Sequence, residues 1–189
     1  MLAKHEIEAV VIRQLLARDF TSSVHTVVIY ERQSPKPRGM GLDWHNYNES
    51  ADVRALEIIF SAETRFMFGL GELQEERIRV MAALSYLWGE SNLRKLAQSP
   101  SLLQGEVDAA TETACRMLVF RAYDDRRMTL FVAAGVRTVR SVRIEDPSSC
   151  EPCKQHSLKV FKITEAPELP YFACTCSSGC RCRYRTVDR

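Results

Sequence analysis

Six of the seven cysteines in this chain fall between Cys150 and Cys182, in the stretch CEPCKQHSLKVFKITEAPELPYFACTCSSGCRC. No other feature limits the fold as strongly. Six thiols this close together must be cross-linked, bound to metal or chemically reactive. Cys150-Glu-Pro-Cys153 is a C-x2-C step, the spacing that lets two thiolates reach one tetrahedral ion. About twenty residues later, Cys174, Cys176, Cys180 and Cys182 supply further sulfurs, and a C-x2-C followed at that distance by a second group points to structural zinc.

Disulfides and a thioredoxin-type pair each need something the chain lacks, whereas spacing leaves an iron–sulfur cluster open. The opening MLAKHEIEAVVIRQLL carries charges inside its apolar run, so it reads as an amphipathic helix rather than a signal peptide. The compartment expected by default is therefore a reducing, cytoplasmic one, where clustered cysteines bind metal more often than they form disulfides. A thioredoxin-type C-x2-C follows a parallel strand, whereas a hairpin is expected around this one. An iron–sulfur cluster would use four thiolates at similar spacing. Six sulfurs exceed one tetrahedron, so either two are spare or a binuclear thiolate cluster forms. The expected ligands are Cys150, Cys153, Cys174 and one of Cys180 and Cys182, holding Zn2+. His156 reads as a solvated turn residue, and Cys115 as buried packing.

The charge is unevenly spread. Residues 135–189 carry ten Lys and Arg against six Asp and Glu, while residues 1–134 are slightly acidic. The cysteine region is therefore also the basic region. Arg181, Arg183 and Arg185, with Tyr171, Phe172 and Tyr184 among them, form a candidate surface for single-stranded nucleic acid.

Upstream, the periodicity predicts a helix over 3–20, and the β-branched VHTVVIYE (24–31) predicts a strand. A loop over 33–50 follows, in which Asp43, His45 and Tyr47 offer polar groups and Trp44 an anchor. Asn48 or Ser50 can cap the next helix, ADVRALEIIFSAETRFMF, and ELQEERIRVMAALSYLWGE reads as another. The span 101–135 reads as one long helix stopped by Gly135. Strands are expected over 136–146 and 158–163, with CEPCKQHS as the turn between them. Glu75-Glu76 and Asp124-Asp125 read as solvated helix faces. The fold class expected is α+β: a mainly helical domain over 1–135, then a small β-rich zinc knuckle over 136–189. No apolar run is long enough to span a membrane, so no membrane partner is expected.

The C-terminal part resembles a known family. Thr111-Glu112-Thr113, Ala134-Gly135-Val136, Cys150, Cys153, Lys159-Val160-Phe161, Glu165-Ala166-Pro167-Glu168-Leu169-Pro170 and Gly179-Cys180-Arg181-Cys182 match the pattern of phage minor head proteins. These are the head morphogenesis proteins of the Mu F type, and the resemblance covers roughly residues 105–185. It implies a capsid-associated protein that acts with the portal or is carried in the virion, and a metal-stabilised knuckle rather than a catalytic centre. Many members read H-P-x-C-R-C at the end. Here Ser177 takes the histidine's place, leaving Cys174 or Cys176 to serve as fourth ligand. No H-E-x-x-H, deaminase H-x-E, G-x-S-x-G or P-loop is present, so no enzyme is expected. The reading is a zinc-stabilised structural or interaction protein, with a zinc-knuckle nucleic-acid binder as the alternative.

Overall fold

The computed structural model describes residues 3–33, 48–89, 93, 106–143 and 149–187. The chain is α+β: helices dominate the N-terminal side, and a three-stranded antiparallel sheet lies near the C-terminus. The helices are α1 (Lys4–Leu16), α2 (Phe20–Arg32), α3 (Glu49–Ser61), α4 (Glu72–Trp88) and α5 (Ala109–Ala133). They are followed by β1 (Thr138–Val142), a short helix α6 (Glu151–His156), β2 (Val160–Lys162) and β3 (Arg183–Thr186).

The segment expected as a strand over 24–31 is helical. Val24, Val27, Val28 and Glu31 are buried at three- and four-residue spacing, so one face of α2 packs into the helical core. Tertiary burial overrides the strand preference of a β-branched run. The expected helix over 3–20 ends at Leu16. The chain then turns through Arg18, which has positive φ, and Asp19 caps α2 by accepting from the Ser22 amide. Asn48 caps α3 by accepting from the Ala51 amide at 3.0 Å. The remainder of the 33–50 loop, with Asp43, Trp44, His45 and Tyr47, lies outside the described residues.

The long helix begins later than the periodicity predicts. Asp108 accepts from the Thr111 amide at 2.7 Å and caps α5 there. At the other end Val136 N–H donates to the Phe131 carbonyl and Gly135 N–H to that of Val132, a Schellman closure that needs the positive φ of Gly135. α5 packs against both α3 and α4 and also touches β3. Two hydrophobic clusters result. The larger holds residues such as Ile12, Leu56, Met81, Leu84 and Leu118 from the helices. The smaller gathers Met117, Val139, Leu169, Tyr171 and Tyr184 around Cys153, Cys174, Cys176 and Cys180.

In the sheet β1 is central, with order β2-β1-β3. Val139 faces Phe161 on one side, and Ser141 faces Tyr184 on the other. Alternation along β1 turns Val139 and Ser141 into the small core and Arg140 outward. The CEPCKQHS segment is not a plain hairpin turn. It forms α6, with Pro152 in the first turn, where its missing N–H costs no helical bond. β3 was not expected; it pairs with β1 only after the chain has returned through the second cysteine group.

Candidate metal centre

Cys150 is the N-cap residue of α6, and Cys153 lies in its first turn, so helical geometry carries the second sulfur back toward the first. The return segment brings Cys174 and Cys176 alongside. The sulfurs of Cys150, Cys153, Cys174 and Cys176 all lie within 4.8 Å of one another. Within this group Cys174 Sγ is 3.8 Å from Cys150 Sγ and 3.5 Å from Cys153 Sγ, and Cys176 Sγ is 4.0 Å from Cys153 Sγ. A zinc–sulfur bond of about 2.3 Å implies a tetrahedral sulfur–sulfur edge of about 3.8 Å. The observed separations bracket that edge. The other separations stay within 4.8 Å, so the group has about the size of a metal–thiolate tetrahedron.

Cys180 and Cys182 are not part of that quartet. They form a second group with Cys153, again with all sulfurs within 4.8 Å of one another, and Cys153 Sγ lies 3.8 Å from Cys180 Sγ. Of the expected ligands, Cys150, Cys153 and Cys174 come together in the first group, while Cys180 and Cys182 occupy the second. Cys176, expected only as the substitute for the family's histidine, supplies the first group's fourth sulfur. None of the described histidines or carboxylates belongs to either group.

Backbone amides point at the sulfurs. Thr175 N–H donates to Cys150 Sγ at 3.3 Å, and Cys150 N–H donates to Cys176 Sγ at 3.2 Å. Burial opposes ionisation of Cys150, but the amides of Cys153 and Thr175 outweigh it and hold that thiol down at about 6. Burial, followed by the neighbouring Cys180 thiolate, pushes the Cys153 thiol far up. Cys174 is raised first by its contact with Cys180 and then by burial. Mutual repulsion of this kind is what a bound cation removes, since a coordinating thiol is deprotonated outright.

The cluster is seated on α5. Cys180 N–H donates to Met117 Sδ at 3.1 Å, and Arg121 pairs with Glu168 and donates to the Leu169 carbonyl at 3.4 Å. Gly179 has φ of +81°, and a Cβ there would meet Met117 Sδ at 2.8 Å. Cys115 lies on the same helix but in the larger core, with its thiol pushed up to about 12 by burial. It is packing, as expected.

His156 belongs to neither sulfur group, and it is less exposed than a solvated turn residue. It is half-buried and stacks on Tyr171 with ring centroids 4.4 Å apart. Tyr171 and Tyr184 are core residues, not base-stacking platforms. Tyr184 donates to the Pro167 carbonyl at 2.7 Å, and the Tyr171 and Ser141 hydroxyls are 3.1 Å apart. Phe172 alone of the three aromatics is exposed.

The basic residues separate by strand direction. Arg183 and Arg185 are exposed on β3, and Arg185 lies directly across from exposed Arg140 on β1. Arg181 is half-buried and lines a groove of about 390 Å³ with Phe120, Tyr123, Asp124 and Arg127. Asp124 is therefore no solvated helix-face residue. It is 8% exposed, and burial raises its carboxyl to about 6 against the pull of Arg127 and Arg121. Its neighbour Asp125 accepts a two-pronged bond from Arg54 at 2.7 and 2.9 Å, so it too is engaged. Sequence reasoning also missed Asp52, whose Oδ1 accepts from Tyr86 Oη at 2.7 Å and from Arg126 at 3.0 Å. That network ties α3, α4 and α5 together, and no local sequence signal marks it.

Among the described residues, no helix is long and apolar enough to cross a membrane. No family model, no curated protein and no solved structure matches this chain.

Proposed function

We propose that this chain is a zinc-stapled structural and interaction protein, in which a thiolate cluster fixes a small β-sheet onto the end of a helical bundle. The observation that carries this reading is the convergence of six cysteine sulfurs, with no imidazole or carboxylate among them. Sulfur-only tetrahedral groups select zinc or iron–sulfur over harder cations. An all-thiolate set closes the coordination sphere and leaves no position for an activated water, which supports a structural role over a catalytic one. The sheet has few aliphatic residues with which to build a core, and bound metal supplies the missing cohesion. The finer reading, a minor head protein acting with a portal, rests on the sequence motifs running from Thr111 to Cys182.

Two measurements test these levels separately. The first is metal content of the purified full chain, with limited proteolysis before and after chelation. Zinc, together with new cleavage confined to residues 150–187 after chelation, is the expected result. A metal-free chain with the same cleavage pattern throughout overturns the staple. The second is co-sedimentation with purified phage portal rings. Portal binding that disappears on chelation supports the head-assembly reading, and no binding by the zinc-loaded chain refutes it.

One observation favours a second reading. Arg140 and Arg185 sit directly opposite each other on the exposed face of the sheet. Like charges so placed destabilise a strand pair unless an anion covers them. With Arg183 nearby, they form a surface suited to a nucleic-acid backbone. Binding of a fluorescent single-stranded oligonucleotide that falls steeply with salt, and flattens in Arg140→Ser/Arg185→Ser, is the result that would favour this reading over the first. Absence of binding at low salt removes it.

A further inference from the structure

The zinc-staple reading leaves open what Cys180 and Cys182 do once a four-sulfur site is filled, and the position of Cys153 answers it. Cys153 is the one cysteine common to both sulfur groups, so its Sγ lies within 4.8 Å of all five others in the cluster. It sits 3.5 Å from Cys174, 3.8 Å from Cys180 and 4.0 Å from Cys176. A terminal ligand of a single tetrahedron has only three sulfur neighbours at the tetrahedral edge. A sulfur surrounded on two sides by further sulfurs has the neighbourhood of a bridging thiolate.

Resting on the staple reading, we propose that the six cysteines hold two metal ions that share the Cys153 thiolate. The first ion takes Cys150, Cys153, Cys174 and Cys176. The second takes Cys153, Cys180 and Cys182, and a small rotation of Cys174, which stands 3.5 Å from Cys153 but outside this second group, completes it as a second bridge. The short Cys153–Cys174 separation of 3.5 Å is the pair through which both tetrahedra would share an edge.

Charge supports the second ion. One dication with four thiolates leaves two units of negative charge in a buried core. Adding a second dication while Cys180 and Cys182 lose their protons to solvent leaves that total unchanged. The pocket gains two metal–sulfur bonds from the new thiolates without burying more net charge. Cys180 is 1% exposed and Cys182 half-buried, so both sulfurs lie inside the cluster and are not solvent-facing spares.

The test is metal stoichiometry by native mass spectrometry and elemental analysis of the full chain, followed by titration of the demetallated chain with Co2+. Two zinc ions per chain are expected. One zinc overturns the shared cluster while leaving the staple intact, and none overturns both. In the Co2+ titration, the first equivalent should raise a high-spin paramagnetic signal. The second should reduce it, because two cobalt ions joined by a thiolate couple antiferromagnetically. A signal that doubles at the second equivalent means two independent sites and defeats the bridge. Cys182→Ser should fall to one ion and Cys153→Ser to none with retained tetrahedral character. If either variant fails to fold, the cobalt titration of the unmodified chain still decides.

Discussion

Single residues control how the cysteine knuckle meets the long helix, and Gly179 is the tightest of them. Its φ of +81° disfavours any side chain, and an added Cβ would press on Met117 Sδ at 2.8 Å and Thr113 Cγ2 at 3.2 Å. Because Cys180 follows immediately, strain at Gly179 moves a sulfur of the cysteine cluster. Gly179→Ala should cost about 1–3 kcal/mol and loosen zinc binding, read as faster metal transfer to a chromogenic chelator. An unchanged transfer rate would show that the close approach does not position Cys180. Asp124 offers a residue-scale test of a different kind. Its carboxyl titrates near 6 instead of the ordinary 3.8, because burial penalises the charged form. A raised acid favours the folded state below its unfolded value and loses that advantage as pH climbs through its folded value. Asp124→Asn should therefore be more stable than the parent at pH 7, by up to roughly 2 kcal/mol, with the gain vanishing toward pH 4. Urea melts of both proteins across that window check it. Acid loss of zinc affects both equally, so the difference isolates the carboxyl. A variant less stable than its parent at pH 7 would mean that the pairing with Arg127, at 3.9 Å, outweighs the burial cost.

At the scale of elements, what the sequence discloses depends on whether a segment's own pattern or a distant partner decides its state. The helices α4 and α5 carry apolar spacing and stop signals within themselves and were legible, whereas α3, expected to run to Phe68, ends at Ser61 because Ala62 turns extended. The α2 segment was not, because VHTVVIYE scores as strand by residue type while its burial at 24, 27, 28 and 31 follows a helical face. β3 was missed for a related reason. Arg183–Thr186 is four residues with one buried side chain, Tyr184, and only β1 makes it a strand. The cysteine cluster was legible as a candidate metal site and illegible in its wiring. Spacing alone groups Cys150 with Cys153, but the choice of Cys176 over Cys180 or Cys182 depends on how the return segment crosses α6. The sheet's dependence on that crossing yields a prediction. Chelation should release amide protection at Val139, Ser141 and Tyr184 while α1 through α4 stay protected. In the same experiment six thiols should become reactive, with Cys115 silent until the chain is denatured, given its burial and raised thiol. Loss of helical protection on chelation, or early labelling of Cys115, would tie the helical core to the metal.

Across the whole molecule, two cores share one helix, and each is locked by a different chemistry. The larger is closed by aliphatic packing and by the Asp52 carboxylate, which accepts from Tyr86 and Arg126 and is itself 2% exposed. The smaller is closed by sulfur, with α5 reaching it through Met117, Thr113 and Arg121. If the two locks act on separable units, their stabilities should respond to separate perturbations. Raising free zinc stabilises whatever unfolds with release of the ion, by the logarithm of its concentration over the dissociation constant. Only the transition of the sheet and cysteine segment should shift with zinc. Asp52→Ala strands Arg126 beside a buried tyrosine, so it should destabilise the helical core by about 3 kcal/mol while leaving zinc affinity unchanged. Calorimetry with and without zinc on the parent, Asp52→Ala and Cys153→Ser distinguishes the outcomes. Two transitions moved one at a time mean that α5 is a platform onto which the metal staples an independent module. A single transition that every perturbation moves means that the helix transmits metal occupancy to the entire bundle. Loss of zinc would then alter every surface the protein presents, not only the basic face of its sheet.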